Sequence, residues 1–215
     1  FTKKFKIINF DLHYSLDDVR IFDWWNYNSS NPKFEIFPRY TAVIDQLKLK
    51  SESQISREYR YVRRYELKHF EKYKKNLEEY EINLDDLLYL YFDTVKIEEK
   101  NKKKQIINDI SLIFKIAKSE HGKILSYRSK DTKKIICIMI LLFDKKSSHL
   151  VISLAEKEWK KKGIITWATH KSIIYSKNKN MDIFDFNGAN SPLRGDSKHS
   201  FGSKGKLFFN LKYKS

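Results

Sequence analysis

Glycine, proline and cysteine are scarce in this 215-residue chain, at six, three and one residue. The lone Cys137 rules out an internal disulfide framework and fits a reducing compartment. It lies in the apolar run Ile135 to Phe143 and reads as a small core residue. That run has nine residues, too few to span a bilayer. His13, His69, His121 and His170 have no ligand spacing with Cys or Asp, so no metal is expected. No internal repeat, long linker or secretory pattern is visible. The sequence opens at Phe1 rather than Met, so natural residues ahead of it are expected to be missing. The expected location is cytoplasmic, extending to the inner membrane surface.

Hydrophobic residues make up 41% of the chain and aromatics 15%, enough for a sizeable core. The charged third is not a sign of disorder, because apolar residues are spread throughout. The net charge is +16 and mostly lysine. Two readings stand: a coding bias that also enriches Ile, Asn and Tyr, or an anionic partner such as a nucleotide, a phosphorylated carrier, nucleic acid or an acidic membrane.

Three of the six glycines and one of the three prolines fall between Phe184 and Gly202. The run is Phe184-Asp185-Phe186-Asn187-Gly188-Ala189-Asn190-Ser191-Pro192-Leu193-Arg194-Gly195, then Ser197-Lys198-His199-Ser200-Phe201-Gly202. An apolar strand, 181–186, feeds this polar loop, a common place for a site in an α/β protein. Along the rest of the chain, strands are expected at 5–10, 40–47 and 79–82, a helix or helical turn at 16–27, and helices at 52–75, 84–98 and 104–118, with Asn83 as an N-cap. Segments 123–128, 134–143 and 149–155 read as an antiparallel meander. A helix from Gly163 to 177 and a last strand at 206–212 complete the order. This is an α/β (α+β) chain with a mixed central sheet flanked by helices, not a doubly wound parallel one.

Three segments resemble the GNAT acyltransferases, specifically the Fem-type (FemAB-like, BioF2-like) branch. The first is Trp24-Trp25 followed by Phe37-Pro38-Arg39-Tyr40-Thr41-Ala42-Val43-Ile44-Asp45 and a basic helix with Arg63-Arg64. The second is Gly163-Ile164-Ile165-Thr166-Trp167-Ala168. The third is Asp185-Phe186-Asn187-Gly188 with Lys198-His199-Ser200-Phe201-Gly202, similar to an Asp-Phe-x-Gly and Phe-Lys-x-x-Phe-Gly signature. The resemblance runs from Trp24 to the C-terminus and implies the GNAT fold. Residues 51–215 would form the acyltransferase domain, and 1–50 would be a strand and helix segment left from a first GNAT-like half. Two positions depart from the pattern. The acyl-CoA signature Gln/Arg-x-x-Gly-x-Gly/Ala is here Lys160-Lys161-Lys162-Gly163-Ile164-Ile165, and the usual aromatic before Lys198 is Ser197. The donor therefore stays open between acetyl-CoA or another acyl-CoA, the superfamily's usual donor, and the aminoacyl-tRNA of the Fem enzymes.

Acyl transfer to an amine needs held phosphates, aligned reactants, a deprotonated amine and a stabilised oxyanion. Lys161, Lys162, Gly163, Ile164, Ile165 and Thr166, at a helix start, suit a pyrophosphate, or form a solvated basic turn. Asp185 either handles the acceptor amine or caps its own loop. Lys198 belongs to the resembled motif and His199 is a possible base; Glu156 is a base candidate by analogy alone. Asn187, Gly188 and Arg194 would line the acceptor side, and Trp24, Trp25 and Tyr40 would stack on a sugar ring, or simply pack. The expected function is N-acylation of an amino sugar, nucleotide- or lipid-linked, in surface polysaccharide synthesis, with peripheral membrane contact compatible. A Fem-type aminoacyl-tRNA-dependent transferase is one alternative. The other is a non-catalytic binder of nucleic acid or anionic membrane through the basic, tyrosine-rich helix 57–75.

Overall fold

The computed structural model describes residues 5–95 and 99–214. In chain order the elements are β1 (Ile7–Asp11), α1 (Arg20–Asp23), β2 (Glu35–Ile44), α2 (Glu52–Glu58), α3 (Tyr61–Lys74), β3 (Leu77–Glu79), α4 (Leu84–Thr94) and α5 (Lys100–Ala117). They continue with β4 (Gly122–Ser129), β5 (Ile135–Phe143), β6 (Ser147–Ala155), α6 (Lys157–Lys161), α7 (Ile164–Asn178), β7 (Ile183–Asp185), α8 (Pro192–His199) and β8 (Lys204–Lys214). One eight-stranded sheet runs β1-β8-β2-β7-β6-β5-β4-β3. Every neighbouring pair is antiparallel except β6 and β7, which run parallel. β1 and β2 both pair with β8, so the first 50 residues share the sheet with the last.

β5 explains how the layers assemble. It is apolar along its length because both its faces are covered. Cys137, Met139 and Leu141 join Phe70, Trp167, Ala168 and Phe184 in one cluster, under α3 and α7. Ile138 and Ile140 join Leu87, Leu90 and Ile110 in another, under α4 and α5. Cys137 is fully buried, which pushes its thiol pKa far up and leaves it a small core residue. α4 and α5 cover only the β4–β6 part of their face. Among the described residues, no helix lies on the same face over β7, β2, β8 and β1.

The meander, the mixed sheet and the α4 cap follow the sequence expectation. Asp86 N–H donates to Asn83 Oδ1 at 2.8 Å and Asn83 N–H to Asp86 Oδ2 at 3.0 Å, a reciprocal capping box. Other boundaries differ. Of the helix or helical turn expected at 16–27, the structure has the single turn α1, with Asp18 paired to Arg20 at 2.6 Å just ahead of it. The helix expected at 52–75 breaks into α2 and α3 at Tyr59 and Arg60, both extended, where Arg60 N–H donates to the Ser200 carbonyl. β2 starts five residues earlier than expected and takes in Pro38. The helix expected at 84–98 ends at Thr94, and 96–98 lie outside the described residues. α8 forms inside what reads as loop, started by Pro192 at its first turn.

Candidate functional site

β6 and β7 pair over three residues only, ending at His149 opposite Asp185. Beyond that point β6 runs on to Ala155 while the chain after β7 turns into the loop 186–188. Thr41, on the neighbouring strand β2, lies on the same face as these two. All three open into a groove of about 810 Å³ on the side of the sheet that α4 and α5 leave bare. Asn9, Asp11, Tyr14, Arg39, Asn210 and Lys212 help to line it.

Asp185 is only 4% exposed. Its Oδ1 accepts from Thr41 Oγ1 at 2.5 Å and from Asn187 N–H at 2.8 Å. Gly188 N–H donates in turn to Thr41 Oγ1 at 3.0 Å. Asp185 Oδ2 faces His149 Nδ1 at 3.8 Å, too far for a hydrogen bond. Asn187 and Gly188 take φ values of 52° and 82°, the left-handed conformation that lets two successive amides turn back toward Asp185 and Thr41. The carbonyls of the same loop face the other way. Lys198 Nζ donates to the carbonyls of Phe186 at 2.7 Å, Asn187 at 2.9 Å, and Gly188. An ammonium has three donors, so this loop uses all of them. Burial lowers the Lys198 pKa, Asp185 opposes that shift and Arg194 adds to it.

His149 sits between two carboxylates. Its Nε2 lies 3.0 Å from Asp144 Oδ2, and its Nδ1 lies 3.4 Å from Asn187 Oδ1. Partial burial pushes Asp144 up, but hydrogen bonds from His149 and from the Lys146 and Ser147 amides outweigh it, and its carboxyl is held below the usual value. Both ring nitrogens thus face acceptor oxygens, Nε2 that of Asp144 and Nδ1 those of Asn187 and Asp185, so which of the two carries the proton depends on the tautomer.

Two polar atoms at this groove are closed to water and unsatisfied among the described residues: the Tyr14 hydroxyl and Asn210 Oδ1. Burial first, then the Asp185 and Asp45 carboxylates, push the Tyr14 phenol up to about 12. The Ser147 hydroxyl is close enough to oppose this slightly, yet not in hydrogen-bonding geometry. Asn210 Nδ2 is engaged by Asn9 Oδ1 at 2.9 Å and Asp11 Oδ1 at 2.8 Å, so only its carbonyl oxygen lacks a donor. Orphaned polar atoms are rare in folded proteins and call for a partner.

The other residues singled out in the sequence lie elsewhere. Glu156 is the N-cap residue of α6, seven residues past His149, about 23 Å along an extended strand. His199 Nδ1 lies 3.2 Å from the Ser203 carbonyl and, with Tyr40, lines a separate recess beside α8. Arg194 is exposed on α8. Trp24 and Trp25 are 58% and 41% exposed, outside the groove; Trp24 lies under Arg20 and Trp25 against the edge of Phe34. At the turn before α7, Ile164 and Thr166 are buried. The Thr166 hydroxyl donates to Glu66 Oε2, which also pairs with Arg63 at 2.7 Å. Thus the protein's own carboxylate lies against the α7 start on its α3 side. Lys161 pairs with Glu158 at 2.8 Å, and Lys162 lies over the Trp159 ring.

Tyr14, Thr41, His149 and Asn210 did not emerge as site residues from the sequence. For Thr41 and Asn210 the signal is an alternation of polar residues on strands: Asn9/Asp11, Arg39/Thr41 and Asn210/Lys212 each repeat at spacing two, which lays one polar face across three strands.

No protein-family model matches the chain, and no curated protein matches it in sequence. Solved structures do match. FemX superposes with a TM-score of 0.65 at 8% identity, over 97% of this chain and 72% of that one. The fold is that of FemX and the GNAT proteins. L-PGS from Bacillus licheniformis superposes with a TM-score of 0.52 at 12% identity, over 83% of this chain and 61% of that one. A GCN5-related glucosamine N-acetyltransferase region of a fungal multi-domain GH3 β-N-acetylglucosaminidase gives 0.54 at 11% identity, over 92% of this chain and 23% of that one. Among the described residues no cluster could hold a metal ion, and no helix is long and apolar enough to cross a membrane.

Proposed function

We propose that the chain is an N-acyltransferase, moving an acyl group, acetyl in the simplest case, from acyl-CoA to the amine of a polar acceptor of amino-sugar type. The observation that carries this is the His149–Asp185 pair, set where two parallel strands part and opening into a polar groove. Asp185 Oδ2 is the free acceptor for an amine N–H, because Oδ1 is already spent on Thr41 and Asn187. His149 Nδ1 takes the proton as the amine nitrogen bonds to the thioester carbonyl carbon, and Asp144 steadies the imidazolium that forms. The carbon–sulfur bond then breaks and the proton leaves with the thiol. The glucosamine N-acetyltransferase named among the structural neighbours supports an amino-sugar acceptor, and a nucleotide- or lipid-linked form in surface polysaccharide synthesis is the finer proposal. Donor phosphates are proposed to meet the turn 161–166 from the Lys160 to Lys162 side, since Glu66 takes the other.

Lys198, Asn187 and Gly188 enter this scheme as the frame that holds Asp185, not as reacting groups. The test is an acetyl-CoA assay over a panel of amino sugars and their nucleotide-linked forms, monitored by thiol release and product mass. Wild-type turnover that vanishes in His149→Asn and Asp185→Asn supports the assignment. Release of free thiol at the same rate in all three proteins would count against it.

A further inference from the structure

α3 packs one side on α7 and the sheet through Phe70, and among the described residues no element covers its opposite side. Tyr61, Tyr65 and His69 lie along that open side at spacing four, one helical turn apart. Tyr61 and Tyr65 have ring centroids 6.3 Å apart with planes at 28°. Tyr65 and His69 follow at 5.9 Å and 19°. Tyr61 is 74% exposed and Tyr65 56% exposed, large values for rings that pack on each other rather than on the core. Arg64, Lys68 and Lys72 flank the ladder, and these six side chains line a shallow groove of about 650 Å³ without an acidic residue. The carboxylates of α3 are engaged elsewhere, Glu66 with Arg63 at 2.7 Å and Glu71 with Lys74 at 3.7 Å. Arg64 is held in place by donating to the Arg57 carbonyl at 3.0 Å.

We propose that this face of α3 is a binding site for single-stranded nucleic acid, with bases stacked on the Tyr61–Tyr65–His69 ladder and phosphates met by Arg64, Lys68 and Lys72. The ring spacing carries the choice of partner. A base is about 3.4 Å thick, so a planar ring between two others needs about 6.8 Å, and a small rotation of Tyr65 opens either gap to that width. A puckered sugar ring is too thick for such a slot. An anionic bilayer calls for Leu, Ile, Phe or Trp to bury among acyl chains, and the ladder side of α3 offers Tyr and His instead. Cations interleaved with stacking rings are the general recipe for single strands. This site is independent of the acyltransfer proposal: it uses none of the groove residues and stands whether or not that reaction is found.

Fluorescence anisotropy with labelled 12-nucleotide RNA and DNA strands, the matching duplex, and phosphatidylglycerol vesicles tests it. Single strands are expected to bind more tightly than the duplex. Tyr61→Leu with Tyr65→Leu, at exposed positions, is expected to weaken single-strand binding about 5- to 150-fold per ring lost and to leave the salt dependence intact. Tyr65→Trp keeps a stacking face and is expected to restore binding. Lys68→Gln with Lys72→Gln is expected to lower the slope of log affinity against log salt by about 1.4. RNA and DNA strands are expected to bind alike, because a ring face does not read the 2′-hydroxyl. Wild-type binding by the double leucine variant, equal binding of duplex or vesicles, or no strand binding by the wild type would each overturn the proposal.

Discussion

Between Ile136 and Leu141, β5 buries every residue, with helices against both faces and, from Cys137 on, side chains alternating between two apolar clusters. On β2, by contrast, residues 41–44 are buried but Arg39 and Tyr40 are exposed, and one face of the strand looks onto a polar groove. The same sheet thus has an end that binds itself and an end left to bind something else. The difference comes from how far α4 and α5 reach: they stop on β6, and the candidate site begins at the His149 end of that same strand. Groove side chains should therefore matter to turnover and little to stability, and β5 side chains the reverse.

The sharpest break of that comparison is His149→Ala. If His149 is the base, turnover should fall on the order of 10²- to 10⁴-fold, with the urea midpoint nearly unchanged. A large stability loss instead would make the pair with Asp144 part of the frame. At the other end, Ile138→Ala or Ile140→Ala should cost about 2–5 kcal/mol in urea unfolding while spared molecules keep normal substrate affinity. Lys198→Met tests the seam between the two ends. It frees three carbonyls that an ammonium now holds, and should cost about 2–3 kcal/mol and lower turnover by displacing Asp185, with donor binding unchanged. Were stability untouched and turnover lost, Lys198 would instead be acting on substrate.

How much of this was legible in the sequence follows the same division. The Ile135–Phe143 run and the Asn83 cap announced themselves, because a doubly covered strand and a capped helix are local patterns. Asp185, Asn187, Gly188 and Lys198 stood out through glycine placement and a resembled motif, and the structure gathers all four around one loop. Tyr14, Thr41, His149 and Asn210 come from four distant stretches, and only strand register brings their neighbourhoods together. α8 was hidden because Ser191-Pro192 reads as a turn, although proline also suits a first helical turn. Glu66 at the α7 start could not be foreseen from spacing, since it depends on how α3 crosses α7.

The smallest expected effect concerns pH. Burial, with a further contribution from Lys171 and partial opposition from Glu52, lowers the pKa of His170 from 6.5, and Tyr59 shares a 3.1 Å hydrogen bond with it. Its charged form is disfavoured in the folded state only. Its contribution is therefore complete above pH 6.5 and is lost as pH falls from there through the lowered folded value. His170→Gln should flatten that acid limb in thermal melts taken across the range. An unchanged limb would assign the slope to other groups.

Strand order also has a consequence for synthesis on the ribosome. β2 emerges before both its partners, β7 and β8, which lie far downstream of it, and among the described residues β1 pairs only with β8. The segments in between, β4 to β6 with α4 and α5, can dock on one another as they appear. The groove must wait, because its floor is stitched from strands far apart in the chain. During that interval β1 and β2 travel as unpaired strands, the kind of edge that invites misassembly. The polar alternation at Asn9, Asp11, Arg39 and Thr41 then has a second use, keeping nascent strands dissolved until β7 and β8 arrive.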